Sequence, residues 1–195
     1  MSDVKKVVIA GPFGAGKTTF VTTACTDALG FERAVSDETS RLKEQTTVAL
    51  DHGTTRIRVD SSEYLVTLFG TPGQERFSFM WPILGHGMAG YVIVVDASRL
   101  QSQAQARGIL KRFQSFAPDV PYVLAVNRWD RTAVSAADLA TSLGVPEQSL
   151  VECDPRLMSD TSRALRAVVG HALRPAATSV SNPGSTTTPS GGGHS

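Results

Sequence analysis

The sequence predicts an α/β fold in which a mostly parallel six-stranded sheet has one antiparallel edge hairpin and helices on both faces. Three observations support this class. Apolar runs of strand length alternate with segments of helical period. Two early strand-like runs are separated only by the polar turn 60–62, which indicates a hairpin. A glycine-rich loop joins the first apolar run to the first helical segment, as in P-loop nucleotide-binding domains.

The first half of the chain supplies the hairpin and the loop that follows the first helix. Residues 4–10 are apolar enough for a central strand, and residues 16–28 follow as the first helix. Residues 30–45 are polar and mixed in charge, so we expect a long mobile loop near the phosphates of a bound nucleotide. The second and third strands are predicted over 47–59 and 64–69, paired as the antiparallel hairpin.

The second half alternates strictly between strand and helix patterns after a loop at 70–78. The predicted helices cover 77–85, 99–117, 136–143 and 160–173, and the predicted strands cover 90–96, 121–127 and 148–153. Such alternation requires crossover connections, which place the strands parallel and the helices against the sheet.

Composition limits the classes of partner and the number of domains. The 195 residues have a formal net charge of +1 and scattered basic residues, so we expect no nucleic acid partner. The two cysteines have no paired spacing, and no leader-like or bilayer-length apolar run is present, which predicts a cytoplasmic protein without direct membrane insertion. We expect one nucleotide-binding domain over 1–174 and a disordered Ser/Thr/Gly/Pro-rich tail over 175–195.

The glycine-rich loop reads G-x-x-x-x-G-K-T from Gly11 to Thr18, and we call these residues the P-loop. Glycines there allow successive backbone N–H groups to face one anion, and the helix N-terminus adds unpaired N–H groups and its positive dipole end. Lys17 would reach the β- and γ-phosphates, and the Thr18 hydroxyl would bind Mg²⁺. A chance glycine loop is the alternative, and the flanking strand and helix disfavour it. The expected nucleotide contacts are Gly11, Phe13, Gly14, Ala15, Gly16, Lys17, Thr18 and Thr19.

The run 70–77 (Gly-Thr-Pro-Gly-Gln-Glu-Arg-Phe) resembles the D-x-x-G-Q-E segment of the Ras-like small GTPases. The runs 44–53 and 69–74 and the Phe79-Met80-Trp81 triplet resemble more closely a bacterial branch encoded in actinobacterial conservons, relatives of the gliding-motility GTPase of myxobacteria. The resemblance covers about residues 4–173. It implies that GTP and GDP are the ligands and that Mg²⁺ is the cofactor.

The resemblance also implies roles for two switch segments. Thr47 corresponds to the threonine that contacts Mg²⁺ and the γ-phosphate, so the expected metal ligands are Thr18 and Thr47. Gly73 corresponds to the glycine whose N–H senses the γ-phosphate. Gln74 corresponds to the glutamine that orients the attacking water, and we expect Gln74 and Lys17 to be catalytic. Taken alone, Thr47 and Gln74 would read equally well as an ordinary strand threonine and an ordinary loop residue.

Base recognition is assigned to Asn127-Arg128-Trp129-Asp130, which resembles the N-K-x-D motif of the family. A carboxylate at Asp130 would accept the guanine N1–H and 2-amino protons, which adenine does not offer there, with Asn127 bracing the loop and Arg128 covering the base face. A simple capping turn is the alternative reading. Residues 153–156 occupy the position of the S-A-K-like loop, so Asp154 and Pro155 are expected contacts as well.

Three departures from the family pattern concern activity. Gly70 replaces the aspartate that usually holds a Mg²⁺-bound water, and Asp51 is not expected to replace it, because about 13 Å of strand separates it from Thr47. Phe13 occupies a position that is often small, so slow hydrolysis is expected, on the order of 10⁻⁴ per second. Pro155 has no N–H for the guanine O6.

The segment after Gln74 is expected to form a partner surface. Phe77, Met80, Trp81 and Leu84 share one helical face, and Trp and Phe would be its anchors. An ordinary core face is the alternative. The resemblance implies a small roadblock-fold partner and a sensor-kinase-like protein.

The sequence therefore predicts a GTP-binding switch that slowly hydrolyses GTP, with segments 36–47 and 70–80 ordered by the γ-phosphate. Two other functions remain open at this point. One is a nucleotide-bound interaction module with negligible hydrolysis, favoured by Gly70 and Phe13. The other is a P-loop ATPase or small-molecule kinase, disfavoured by Asp130.

Overall fold

A computed structural model describes residues 4–25, 51–73 and 75–174. At residues 75 and 76 it describes the backbone and not the side chains. Six strands form one sheet in the order β2-β3-β1-β4-β5-β6, and only the β2–β3 pair is antiparallel. The strands are β1 (Val4–Ala10), β2 (His52–Val59), β3 (Ser62–Gly70), β4 (Gly90–Asp96), β5 (Tyr122–Asn127) and β6 (Leu150–Glu152). The predicted fold class is confirmed.

Five α-helices connect and cover these strands in the described part of the chain. They are α1 (Lys17–Ala24), α2 (Trp81–Gly85), α3 (Leu100–Phe116), α4 (Ala136–Leu143) and α5 (Met158–Leu173), with 3₁₀ turns at Glu75–Met80, Trp129–Arg131 and Glu147–Ser149. Helices α1 and α5 pack on one face of the sheet, and α2, α3 and α4 pack on the other.

Strand β4 lies between these two layers, and all seven of its residues are buried. Val92 and Val94 point into the α1/α5 core, whereas Tyr91, Ile93 and Val95 point into the α2/α3/α4 core. A central parallel strand must be apolar on both faces, which is why this segment is a continuous apolar run. The carboxyl ends of β1, β4 and β5 meet at one edge, where an open α/β sheet binds its ligand.

Three predicted elements are shorter than expected. The first helix, predicted over 16–28, ends at Ala24, because Cys25 is in an extended conformation. The helix predicted over 77–85 is α-helical only from Trp81, because Pro82 has no N–H and fits only the first turn of a helix. The strand predicted over 148–153 is confined to Leu150–Glu152, because Ser149 N–H donates to Pro146 O in a 3₁₀ turn. Strand β2 begins at His52, and the predicted loop 30–45, Thr47 and the tail 175–195 lie outside the described residues.

Candidate functional site

A cleft of about 930 Å³ opens at the carboxyl ends of the parallel strands. Its walls come from the P-loop, from the segment after β3, from the loop after β5 and from the loop after β6. The predicted site residues that line it are Phe13, Gly14, Gly16, Lys17, Thr18, Thr19, Gly73, Asn127, Arg128, Asp130, Asp154 and Pro155. Four loops that are distant in sequence thus converge on one cavity large enough for a nucleotide.

Glycine is required at both ends of the P-loop. Gly11 has φ of +142°, and a Cβ there would lie 2.3 Å from Val94 O, so the loop turns directly over β4. Gly16 has φ of +116° and precedes α1, and a Cβ there would lie 2.9 Å from Pro155 Cγ. Since these two positions exclude side chains, the P-loop can curl tightly with the α1 N-terminus open to the cleft.

Lys17 is buried at the start of α1, and its Nζ donates to Pro12 O at 2.8 Å. Burial lowers the pKa of this ammonium from 10.5 to about 8, although the nearby Asp51 carboxylate opposes the shift. A polyphosphate bound in the cleft would raise the pKa of Lys17 again and so favour its charged ammonium form. The lysine is therefore placed to respond to an anion at the P-loop.

This burial predicts a pH dependence of nucleotide binding. The pKa of Lys17 is about 8 in the free protein and rises beside phosphates. Above pH 8 the free protein has therefore lost a proton that the complex still holds, so nucleotide binding takes up a proton. Affinity should be flat below this pH and should fall above it by up to roughly tenfold per pH unit. Calorimetric titrations of GDP between pH 7 and 9.5 measure it, with Lys17→Arg, which stays protonated, as the control. The same slope in both proteins would contradict the assignment to Lys17.

The Thr18 hydroxyl donates to Asp51 Oδ2 at 2.7 Å. Asp51 lies just before β2 and is opposite Gly70, whose N–H donates to Asp51 O at 2.7 Å. A Cβ built on Gly70 would lie 2.9 Å from Asp51 Cβ and 3.2 Å from Asp51 Oδ2. The Asp51 side chain thus fills the space that an aspartate at position 70 would occupy. The expectation that Asp51 lies too far away was wrong, because it considered distance along the strand and ignored the strand pair.

The Thr18 and Asp51 oxygens fit a Mg²⁺ site. Mg²⁺ in nucleotide sites takes one or two protein oxygens and completes its shell with phosphate oxygens and waters. Among the described residues no group of three or more acidic, His or Cys side chains could hold a metal ion, and a nucleotide-bound Mg²⁺ needs no such group. The other predicted ligand, Thr47, lies outside the described residues.

In the predicted switch segment 70–80, Gly73 lies within the described residues and Gln74 lies outside them. A Cβ on Gly73 would lie 2.4 Å from Lys17 Nζ and 3.0 Å from Phe13 N, so its backbone lies directly against the P-loop. The Phe13 side chain is 78% exposed at the mouth of this contact. Gly73 therefore packs directly on the part of the P-loop that contains Phe13 and Lys17.

Asn127 connects the P-loop to the loop after β5, because its Nδ2 donates to Ala15 O at 3.0 Å. Arg128 follows with φ of +55°, and its Nη1 donates to Asp96 Oδ2. The Asp130 carboxylate is exposed in the cleft, two residues further on. The three predicted base contacts thus approach the cavity from one wall.

Asp96, which the sequence analysis did not single out, anchors this wall. It ends β4 and is 1% exposed. Although burial opposes ionisation, hydrogen bonds from the Ser98 hydroxyl, from Arg128 and from the Ser98 N–H hold the pKa of Asp96 below its usual value. An acidic residue directly after an unbroken apolar strand was the available signal, since a buried carboxylate needs a partner.

The segment after Gln74 presents a different face from the predicted one. Trp81 is only 4% exposed, its ring lies 5.7 Å from that of Phe113, and Arg112 lies over it. Phe79 and Ile83 are 64% and 71% exposed instead. The expectation that Trp81 anchors a partner was wrong, because a helix that packs on α3 buries the side carrying its largest ring.

Comparison with known proteins matches residues 6–146 to the Ras family. An uncharacterised protein of Methanocaldococcus jannaschii is 29% identical over 66% of this chain, and the Ras-related protein Rab-18 of Lymnaea stagnalis is 26% identical over 65%. The Ras-related protein Rab-40B of Mus musculus is 33% identical over 40% of this chain. The matches span 72%, 58% and 28% of these relatives, respectively. No described helix is long and apolar enough to cross a bilayer.

Proposed function

Because this chain belongs to the Ras family and is thus a small GTP-binding protein, we propose that it is a molecular switch that binds GTP and slowly hydrolyses it to GDP. The observation that carries the proposal is the joining of two walls of one cleft. The P-loop and the Asn127–Asp130 wall are linked by the hydrogen bond from Asn127 to Ala15 O. Phosphate and base contacts are therefore held at a fixed separation.

Each wall recognises one part of the nucleotide. The P-loop N–H groups, the α1 N-terminus and Lys17 bind the phosphates. Asp130 accepts hydrogen bonds from the guanine N1–H and 2-amino groups. Asp96 holds the guanidinium of the nearby Arg128 in place. ATP presents no such donors to Asp130, so binding should select guanine.

Mg²⁺ would neutralise charge on the β- and γ-phosphates. In this proposal Thr18 ligates the ion directly and Asp51, which accepts a hydrogen bond from Thr18, orients an ion-bound water. Thr47 would join them when the γ-phosphate is present. The Thr18 hydroxyl can keep its hydrogen bond to Asp51 while a lone pair on its oxygen faces the metal. The carboxylate that supports the ion thus comes from the start of β2, whereas the usual aspartate is at the end of β3.

Hydrolysis proceeds by in-line attack of a water that Gln74 orients, with Lys17 stabilising charge on the transferred group. Phe13 stands at this end of the site, where its backbone contacts Gly73 and its ring is exposed. Its bulk limits how closely Gln74 or an arginine from a partner can approach. We therefore propose an intrinsic rate at or below about 10⁻⁴ per second.

Phe13→Gly tests this assignment. Removing the ring should accelerate single-turnover GTP hydrolysis. The increase would be roughly tenfold if the ring raises the activation free energy by about 1.4 kcal/mol. Rapid-quench measurement of phosphate release at saturating enzyme reports the rate. Leu100→Ala, which removes another exposed apolar side chain at the start of α3, serves as the control. An unchanged rate in Phe13→Gly would show that the ring does not limit hydrolysis.

We further propose that Phe79 and Ile83 bind the regulatory partner, a small roadblock-fold protein, with a sensor-kinase-like protein as a second partner. Exposed apolar side chains beside a nucleotide-responsive segment suit such a contact. Ile83→Ser should weaken binding of a roadblock-fold protein by tenfold or more in a calorimetric titration, as for a typical anchor residue. Undiminished affinity would remove this surface from the proposal.

Titration with fluorescent GTP, GDP and ATP analogues in the presence and absence of Mg²⁺ tests the function itself. Guanine-selective, Mg²⁺-dependent binding with measurable turnover supports the switch. Guanine-selective binding without turnover, even with partner added, would support the alternative of a nucleotide-bound interaction module, which the exposed Phe13 and the glycine at position 70 favour. Equal or tighter ATP binding would refute both.

A further inference from the structure

The loop after β6 has already used the backbone donors that face the cleft. Asp154 N–H donates to Asp160 Oδ2 at 3.0 Å. Arg156 N–H donates to Asp154 Oδ1, also at 3.0 Å. Pro155, between them, has no N–H. A base that enters this cleft therefore meets a wall without a free backbone donor at residues 154, 155 and 156.

This loop cannot easily rearrange around Pro155. Pro155 is buried, and its Cγ lies 2.9 Å from the position of a Cβ on Gly16. The Asp154 N–H is tied to Asp160 in the first turn of α5. The Arg156 N–H is held only by the side chain of Asp154, so a change of that side chain's rotamer would release it. Arg156 N–H is thus the one donor of the three positions that a ligand can recruit.

An ion pair with Arg156, whose side chain is mostly exposed, holds the Asp154 side chain in this position. Arg156 Nε donates to Asp154 Oδ1 at 2.9 Å, and Arg156 Nη2 donates to Asp154 Oδ2 at 2.6 Å. Hydrogen bonds from the Arg156 side chain and backbone lower the pKa of Asp154 to about 2. The carboxylate is therefore ionised at neutral pH, and it presents negative charge where the base edge would lie.

We propose that Asp154 is a specificity-determining residue whose carboxylate competes with the C6 oxygen of a bound guanine for the backbone N–H of Arg156. The inference rests on the proposed function, since it requires a guanine nucleotide in the cleft. Asp130 and residues 154–156 line the same cleft from the loops after the paired strands β5 and β6. If Asp130 reads N1–H and the 2-amino group, the adjacent C6 oxygen would face residues 154–156. Guanine then gains a bond at C6 only when Asp154 releases the N–H, so base affinity depends on the Asp154 side chain.

The ratio of the dissociation constants of GTP and 6-thio-GTP isolates this contact. Both nucleotides offer the same N1–H and 2-amino donors to Asp130, but sulfur at C6 is a much weaker acceptor than oxygen. Effects of Asp154 substitutions on the N1–H and 2-amino contacts, through Arg128 or Asp130, therefore cancel to first order in the ratio. Competition against a fluorescent GDP analogue, with Mg²⁺ present, measures both constants.

Asp154→Ala releases the Arg156 N–H and should increase the preference for GTP over 6-thio-GTP by roughly fivefold, the value of one ordinary hydrogen bond. Asp154→Asn is the matched control, because its amide oxygen still accepts from that N–H although the negative charge is lost. It should leave the preference within about twofold of the wild type. Thermal unfolding establishes that both variants are folded.

Two results would overturn the inference while leaving the proposed function in place. One is an unchanged preference in Asp154→Ala, and the other is an equal increase in both variants, which would attribute the effect to charge. If the wild-type protein binds no guanine nucleotide, the proposed function fails and this inference fails with it.

Discussion

Asp130→Asn is expected to weaken GTP binding on the order of a thousandfold, because it removes two charge-assisted hydrogen bonds to the guanine edge. Asp130 is exposed at the cleft wall, so the change leaves no buried group unpaired in the free protein. The protein should therefore stay folded while recognition is lost. Equilibrium titration with a fluorescent GTP analogue, supported by thermal unfolding, separates these effects.

Xanthosine triphosphate provides the gain-of-function control for the same variant. Xanthine has an oxygen in place of the guanine 2-amino group, which the Asp130 carboxylate repels and an amide NH₂ can bind. Asp130→Asn should therefore bind the xanthine nucleotide more tightly than the wild type does. Parallel losses for both nucleotides would mean that Asp130 supports the loop and does not read the base.

Asp51→Asn is expected to lower the Mg²⁺ affinity of the nucleotide complex by roughly 10- to 100-fold, the usual cost of losing an outer-shell carboxylate. Asp51 Oδ2 lies 2.7 Å from the Thr18 hydroxyl, where the ion would bind. The rate of GDP release as a function of Mg²⁺ concentration measures the effect. Glu63→Gln is the control, since it removes one charge from the same hairpin at an exposed ion pair with Arg56.

Relocating the carboxylate provides a stricter test of the Asp51 assignment. Gly70→Asp alone should destabilise the protein, because its Cβ would lie 2.9 Å from Asp51 Cβ. Combining it with Asp51→Gly clears that space and presents the carboxylate from β3 instead. Mg²⁺ dependence should then return to within a few-fold of the wild type, a comparison made against Asp51→Gly alone. If the double variant is no better than Asp51→Gly, the carboxylate does not act on the metal.

The sequence specified the elements whose signals are local. Strand β4 is a continuous apolar run, and α4 has a Ser135 cap and Gly144 in the left-handed conformation, so both were predicted with their observed ends. The P-loop and Asp130 were singled out from spacing within short motifs, and both line the cleft. The role of Asp130 in reading the base stays a prediction. Pro82 was overlooked as the point that delays the start of α2.

The errors at the site were errors about contacts between distant segments. Asp51 reaches Thr18 because β2 pairs with β3 in the register that places His52 opposite Phe69, and no single segment contains that information. Trp81 was assigned to the surface because the periodicity of one helix does not say which side meets α3. The roles of Thr47 and Gln74 remain predictions.

The packing of Asp51 against Gly70 also limits how such a sequence can change over time. A carboxylate at position 70 would collide with the Asp51 side chain, and loss of Asp51 alone removes the carboxylate that contacts Thr18 in the described part of the chain. Moving the carboxylate from one strand to the other requires two substitutions, and we expect both single intermediates to be impaired. We therefore expect reciprocal sign epistasis between positions 51 and 70, which would make each arrangement a local fitness peak that stepwise substitution does not easily leave.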